Sequence, residues 1–295
     1  MKKTSILLLI SIFFACSDSK KNSSSLPGRL GNPEMSLIND PRAIPAVTKV
    51  MSDFGLDSLT PDPPISIEAT QKEKVDYMTS LEPQYEEIFE SWFSELPEVK
   101  GIERFTKTID GVDGNQIELY IHKPEEQKSN IPGILHIHGG GMSILKAKNP
   151  NYIRWRDDLA STGLVVVGVE FRNVAGELGS HPFPAGLNDC SSALQWMFEN
   201  KEELGVSKII VSGESGGGNL TLATTLKAKE EDKLFQIDGV YAQCPYISNE
   251  YHRTINDLPS LVENNGYFLN VKDMAVMATS YDGINSNNPL AAILV

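Results

Sequence analysis

Cysteine is too scarce here to staple a fold. Of three in 295 residues, Cys16 sits in a leader-like N-terminus, and Cys190 and Cys244 alone make no disulfide framework. A pair of buried thiols is expected instead. Basic residues are also in short supply: 26 Lys and Arg face 39 Asp and Glu, a net charge of -13. Such a surface repels polyphosphates, which argues against nucleic acid as a partner. The apolar run near the N-terminus, Ile6 to Ala15, falls short of the roughly 20 residues a membrane-spanning helix needs. Internal repeats and low-complexity tracts are missing too, so a solenoid is not indicated. What is present is ordinary for a folded protein: 40% hydrophobic and 22% charged residues, enough for one large α/β domain or two small ones.

Residues 1–16 read MKKTSILLLISIFFAC, two lysines followed by an uncharged apolar stretch and a small residue before cysteine. This is the pattern of a secretory signal over residues 1–15. The FFAC end resembles a bacterial lipobox, although Phe13 stands where an aliphatic residue is usual. It predicts an exported chain anchored to a membrane through lipid on Cys16, in the periplasm or at the cell surface; plain secretion is the alternative. Removing residues 1–15 takes away Lys2 and Lys3 and no acid, leaving the mature protein two units more negative. Residues 16–39, rich in Ser, Gly and Pro, read as a flexible tether.

Over residues 40–100, proline-broken segments surround a stretch, roughly Ile67 to Phe93, in which Val75, Met78, Ile88 and Phe89 recur at mixed helical spacing. An N-terminal helical cap or arm is expected there. At residue 101 the pattern changes. GIERFTKTI and QIELYIHKP alternate apolar and polar residues around a Gly- and Asp-rich turn, as a hairpin does. Short apolar strands then alternate with helices: IPGILHIH, a helix through Trp155 to Ser161, LVVVGVEF, a helix from Pro184 to Asn200, KIIVSGE, a helix after Gly216, and IDGVYAQCP. The fold class this predicts for residues 101–295 is α/β, a doubly wound and mostly parallel sheet. Leu164 to Val169 is apolar on both faces, which suits a sheet covered on two sides.

Two glycine motifs fall at the carboxyl ends of these strands, where such sheets gather their chemistry. Gly213-Glu214-Ser215-Gly216-Gly217 lies between a strand and a helix, the setting of a nucleophile elbow. Small residues flank the serine because a tight strand-to-helix turn leaves no room for Cβ atoms. The amide of Gly216, at the helix N-terminus, favours developing negative charge. His138-Gly139-Gly140-Gly141 ends the strand Ile134 to Ile137, the place from which an oxyanion hole is supplied. Gly139, Gly140 and Gly216 are therefore expected to donate to the oxyanion of a tetrahedral intermediate, with Ser215 as nucleophile. A glycine-rich turn and a phosphate-cradling loop are the competing readings. No Lys-Ser/Thr pair follows, as a Walker loop requires, and the acidic ribose contact of a dinucleotide site is missing. His138 is read as a brace for the loop rather than as a base.

Together these segments resemble the hormone-sensitive lipase family of α/β-hydrolases, also called bacterial family IV esterases. ILHIHGGGM is similar to its oxyanion segment, VEFR to its next strand, HPFPAGLNDCSSALQW to the following helix and IVSGESGGGNL to its nucleophile segment. Gly216 stands where that family often has Ala, Glu214 where it often has Asp, and Met142 where an aromatic is common. The resemblance implies an α/β-hydrolase fold with an N-terminal helical cap and hydrolysis of small-molecule carboxylic esters of short or medium acyl chains. It further implies no cofactor and no metal, and a Ser, Asp or Glu, and His triad. His181 and Asp189 match positions that support the core.

In that family the acid and the histidine follow Ser215 on later strands, and here the pattern runs out. NPLAAILV resembles the segment just before the strand that carries the acid, so the final strands are expected to be missing. No acid or base of a triad is found. His252 follows the first remaining strand, and Asp232 and Asp238 fall at the wrong end of it. The sequence thus predicts either an incomplete serine carboxylesterase or an inactive relative that binds an apolar ligand at the surface. Acyl transfer would use the same residues as hydrolysis.

Overall fold

The computed structural model describes residues 26–126, 130–251, 258–284 and 286–292. The leader, Cys16 and His252 lie outside them. Before the sheet come a short helix α1 (Gly28–Gly31), α2 (Pro45–Asp53) and the long α3 (Gln71–Phe93). Helix α3 starts four residues later than the apolar spacing predicts, because Thr70 and Glu73 form a capping box. The Thr70 hydroxyl accepts from the Glu73 amide at 3.3 Å, and the Glu73 carboxylate accepts from the Thr70 amide at 2.8 Å.

The expected hairpin is β1 (Ile102–Asp110) and β2 (Gln116–Pro124), antiparallel from Ile102 opposite Pro124 to Asp110 opposite Gln116. Then β3 (Ile131–Ile137), α4 (Pro150–Ser161), β4 (Val165–Val169), α5 (Ala185–Glu199), α6 (Lys201–Leu204), β5 (Val206–Glu214), α7 (Gly216–Glu230) and β6 (Gly239–Gln243) follow. The described chain ends with α8 (Pro259–Glu263) and α9 (Val271–Asp282). The strands form one sheet in the order β1-β2-β4-β3-β5-β6, parallel from β4 through β6 and antiparallel at the hairpin.

All five residues of β4 are buried, and each face has a separate reason. Val165, Val167 and Val169 join the large apolar cluster beneath α5, where Leu187, Cys190, Leu194 and Met197 recur at helical spacing. Val166 packs with Ala160 of α4 on the opposite side. Helices on both faces leave no side of the strand for water, which is why it reads as one unbroken apolar run.

Strand β6 differs. It forms the edge of the described sheet, and Tyr241 stays 59% exposed. Immediately after it, Cys244 is exposed, whereas Cys190 is buried in α5. The expected pair of buried thiols is thus corrected to one, Cys190.

Candidate active site

Strand β5 runs into α7 through Ser215, whose backbone sits at φ 53° and ψ -118°. A non-glycine residue rarely adopts such a conformation, and its strain is offset by the packing around it. The Ser215 amide donates to Gln243 O at 3.0 Å, and the Tyr246 amide donates to Ser215 O at 2.9 Å, so the segment after β6 clamps the corner from one side. On the other side the flanking glycines allow close backbone contact. A Cβ on Gly213 would stand 2.4 Å from Ile137 O, and one on Gly217 would stand 2.1 Å from the same oxygen. The hydroxyl of Ser215 makes no capping bond to α7 and faces a cavity.

Residues 138–141 approach from the end of β3. His138 is fully buried and stacked on Phe171 with ring centroids 4.2 Å apart, and its Nδ1–H donates to Gly139 O at 2.8 Å. Burial lowers its pKa to about 3, so the ring stays neutral and braces the loop. The Gly139 amide is already engaged, donating to Oε1 of Glu214 at 2.9 Å. That finding corrects one of the three expected oxyanion donors: an N–H bound to a carboxylate has no hydrogen left for a substrate. The amides of Gly140, Gly141 and Gly216 have no acceptor among the described residues. The glycine stretch also lies against the corner, since a Cβ on Gly216 would stand 2.7 Å from Gly141 N. An alanine at 216 would force the two stretches apart.

Glu214 is therefore a functional residue that the sequence reading missed. In a G-x-S-x-G pattern its position is the unrestricted x, and only the fold reveals that its carboxylate spans to the neighbouring strand. Its other oxygen lies 3.5 Å from Nε2 of His136. Behind it, Arg156 of α4 is wholly buried and lies over the Tyr120 ring at 5.6 Å. Desolvation lowers its pKa to about 10. Glu170, mostly shielded from water, has its pKa raised to about 7 by desolvation, while its Oε1 accepts from the Ala147 amide at 2.9 Å. The loop thus rests on a buried layer of charged groups.

The cavity in front of Ser215 measures about 300 Å³. Ser215 and Gly139 to Gly141 form its floor. Its walls are mainly apolar: Tyr85 and Phe89 from α3, Ile144 and Leu145 after the glycine stretch, Phe268 and Leu269, and Met274 and Met277 from α9, with Asn151 and Glu214 adding polar atoms. None of the described histidines is bonded to Ser215: His138 is held under the loop and His122 bonds Asp157 at 2.7 Å. Asp189 is engaged in the core, accepting from the amide and guanidinium of Arg172. His181 is tied into the loop before α5, its amide donating to Asn173 O. Asp232 lies in the turn after α7 and Asp238 just before β6, where it accepts from the Ile209 amide at 2.9 Å. Among the described residues no cluster of His, Cys, Asp or Glu is arranged to hold a metal ion.

Comparisons with known proteins agree with this architecture. A family profile described as alpha/beta hydrolase fold matches residues 134–295. Carboxylesterase NlhH of Mycobacterium tuberculosis is 34% identical over 137 residues, which are 46% of this chain and 40% of that protein. The match thus spans less than half the length of that curated relative. The solved structure of brefeldin A esterase, described as a bacterial homologue of human hormone sensitive lipase, superposes with a TM-score of 0.86 and 42% identity. That match covers 91% of this chain and 76% of the esterase. Esterase Est22 gives a TM-score of 0.73 at 33% identity, over 87% of this chain and 76% of its own. The profile takes in more than half of the chain and the structural match nearly all of it, so the chain belongs to the hormone-sensitive lipase family of the α/β-hydrolase superfamily.

Proposed function

We propose that the protein hydrolyses small carboxylic esters through an acyl-enzyme on Ser215. The observation that carries this reading is the strained backbone of Ser215, which turns its hydroxyl into a mainly apolar cavity beside three amides that have no acceptor among the described residues. Ser215 Oγ bonds to the ester carbonyl carbon and loses its proton to a base. The carbonyl oxygen, now an oxyanion, takes the hydrogens of Gly140, Gly141 and Gly216. Collapse breaks the bond to the alcohol oxygen, which receives the proton, and water then releases the acid by the same steps in reverse. Each oxyanion donor is worth about 3 to 4 kcal/mol in the transition state. In the triad that the family resemblance implies, that base is a histidine oriented by a carboxylate; none of the described histidines is bonded to Ser215. The apolar walls suit short or medium acyl chains, and the likeness to a carboxylesterase and to solved esterases supports carboxylic esters as the substrate class.

The test is hydrolysis of p-nitrophenyl butyrate by the full chain and by Ser215→Ala. The substitution is expected to lower kcat by at least about 10⁴-fold. Equal rates would remove Ser215 from the mechanism.

The N-terminal pattern supports a further part of this reading: residues 1–15 export the chain, and Cys16 carries the lipid that holds it at a membrane. In a bacterial host, labelled palmitate is expected on the parent chain and not on Cys16→Ser.

A further inference from the structure

A second space lies behind the Ser215 cavity. Between residues 55–64 and α3 is a cleft of about 320 Å³ whose lining mixes apolar residues such as Leu59 and Ile88 with the polar Asp62, Tyr77, Gln84 and Asp273. Only Tyr85 and Phe268 border both spaces among the described residues. Their rings meet edge-on, centroids 6.1 Å apart at 86°.

This partition is held in place by its surroundings. Phe268 has a φ of 72°, where the side chain of an L-residue crowds its own backbone. The loop that imposes this conformation is tied to the cleft. The Thr60 amide donates to Gly266 O at 2.9 Å, the Thr60 hydroxyl donates to Phe268 O at 3.1 Å, and Leu59 bridges Tyr267. Trp92 stacks on the Phe268 ring at 6.3 Å.

The cleft is the more polar of the two spaces, although apolar residues line much of both. The walls of the Ser215 cavity are mainly apolar, with Asn151 and Glu214 among their few polar side chains. In the cleft, the half-buried Asp273 carboxylate accepts from the Tyr77 hydroxyl at 2.6 Å through Oδ1, while Oδ2 has no partner among the described residues. Lys272 pairs with Asp62, and no cation stands among the residues lining the cleft. Among the described residues no side chain donates to that second oxygen.

We propose that the cleft is a subsite for the far end of one arm of the ester. The arm is an apolar chain that passes between Tyr85 and Phe268, with the Tyr85 ring turned aside, and ends in a hydroxyl or ammonium group that donates to Asp273. The location of the ester itself rests on the Ser215 reading above. The preferred substrates are then amphipathic esters with a terminal hydrogen-bond donor rather than plain alkyl esters.

Binding tests this without turnover. The full chain carrying Ser215→Ala is titrated with 1-decanol, 1,10-decanediol and 10-amino-1-decanol, followed by tryptophan fluorescence, because Trp92 touches the partition. The diol and the amino alcohol are expected to bind about tenfold tighter than decanol. Adding Asp273→Leu should erase both advantages. Asp273→Asn, which keeps an acceptor oxygen, should preserve the diol's advantage and erase the amino alcohol's. Equal affinities for the three alcohols, no saturable binding of any, or an advantage that survives Asp273→Leu would overturn the subsite. The ester assay on Ser215→Ala stands apart from these outcomes, so the subsite and the hydrolase reading can fail separately.

Discussion

Ser215 and the glycine stretch opposite it sit at the ends of two adjacent parallel strands, whereas the rings and sulfurs around them come from α3 and α9, at opposite ends of the described chain. The floor is backbone against backbone: carbonyl oxygens and amides fixed by sheet register, with no side-chain rotamer free to adjust. The walls are side chains, most of them on helices, held by aromatic contacts such as Phe89 against Tyr152 and Tyr85 against Phe268. Backbone geometry sets what reaction is possible, and side-chain walls set what enters. Changes to the floor should therefore act on rate and folding, and changes to the walls on KM.

The most severe test is Gly213→Ala. Its methyl group meets Ile137 O and Gly217 O, both backbone atoms that cannot swing away. A loss of about 3 kcal/mol in urea denaturation is expected, together with ester turnover near background. If the variant matched the parent in both, the floor would be as pliable as the walls and the contrast would fail.

Glu214 asks whether the floor needs its anchor. Glu214→Ala frees the Gly139 amide and releases the glycine stretch, and kcat for p-nitrophenyl butyrate should fall on the order of 10²-fold, with KM little changed. Glu214→Gln keeps an acceptor oxygen for that amide and should recover to within about tenfold of the parent. A Gln variant as poor as the Ala variant would point to the carboxylate charge rather than the hydrogen bond.

On the wall, Leu269 lines the cavity yet is 46% exposed, so trimming it should disturb folding little. Leu269→Ala should raise KM for p-nitrophenyl octanoate roughly five- to tenfold through lost apolar contact. An effect confined to kcat would place Leu269 among the groups that set the floor.

The same contrast explains what could be read from the sequence. The β1–β2 hairpin, the apolar run of β4 and the serine corner are written in neighbouring residues: alternation, an unbroken apolar stretch, small residues around Ser215. Each is a local pattern with a local cause. The walls are not local. Tyr85 and Met277 share a cavity only after α3 and α9 pack, and the mixed spacing within α3 arises because Phe89 faces Tyr152 while Tyr77 reaches Asp273. The choice between Gly139 and Gly141 as donor was equally hidden. Three consecutive glycines look alike until Glu214 takes one of their amides. Cys244 was misjudged for a related reason, since the burial of a thiol at the end of β6 depends on what lies over the sheet edge and not on its neighbours in sequence.

The smallest expected effect concerns the charged layer beneath the floor, which has no counterpart in the aromatic walls. Burial holds the Glu170 pKa near 7, above the ordinary 4.5, so between about pH 4.5 and 7 the folded protein keeps a proton that the unfolded chain has released. Stability from this group therefore falls as pH rises through that window and levels off above it. His138 acts with the opposite sign at lower pH: its folded pKa of about 3 means stability gained as pH rises from about 3 to 6.5. Above pH 6.5 His138, whose Nε2 lies 3.7 Å from Glu170 Oε1, is neutral in the folded protein, so comparing the parent with Glu170→Gln there isolates the carboxyl. From pH 6.5 to 8 the stability of the parent relative to the variant, read from urea denaturation, should decline by about 1 kcal/mol or less. Phe89→Leu, a wall substitution in the same cavity, should leave the pH dependence of the parent in place. A flat difference for Glu170→Gln would mean that the carboxyl is ionised in the folded state, and that the floor stands on backbone contacts without the buried charges.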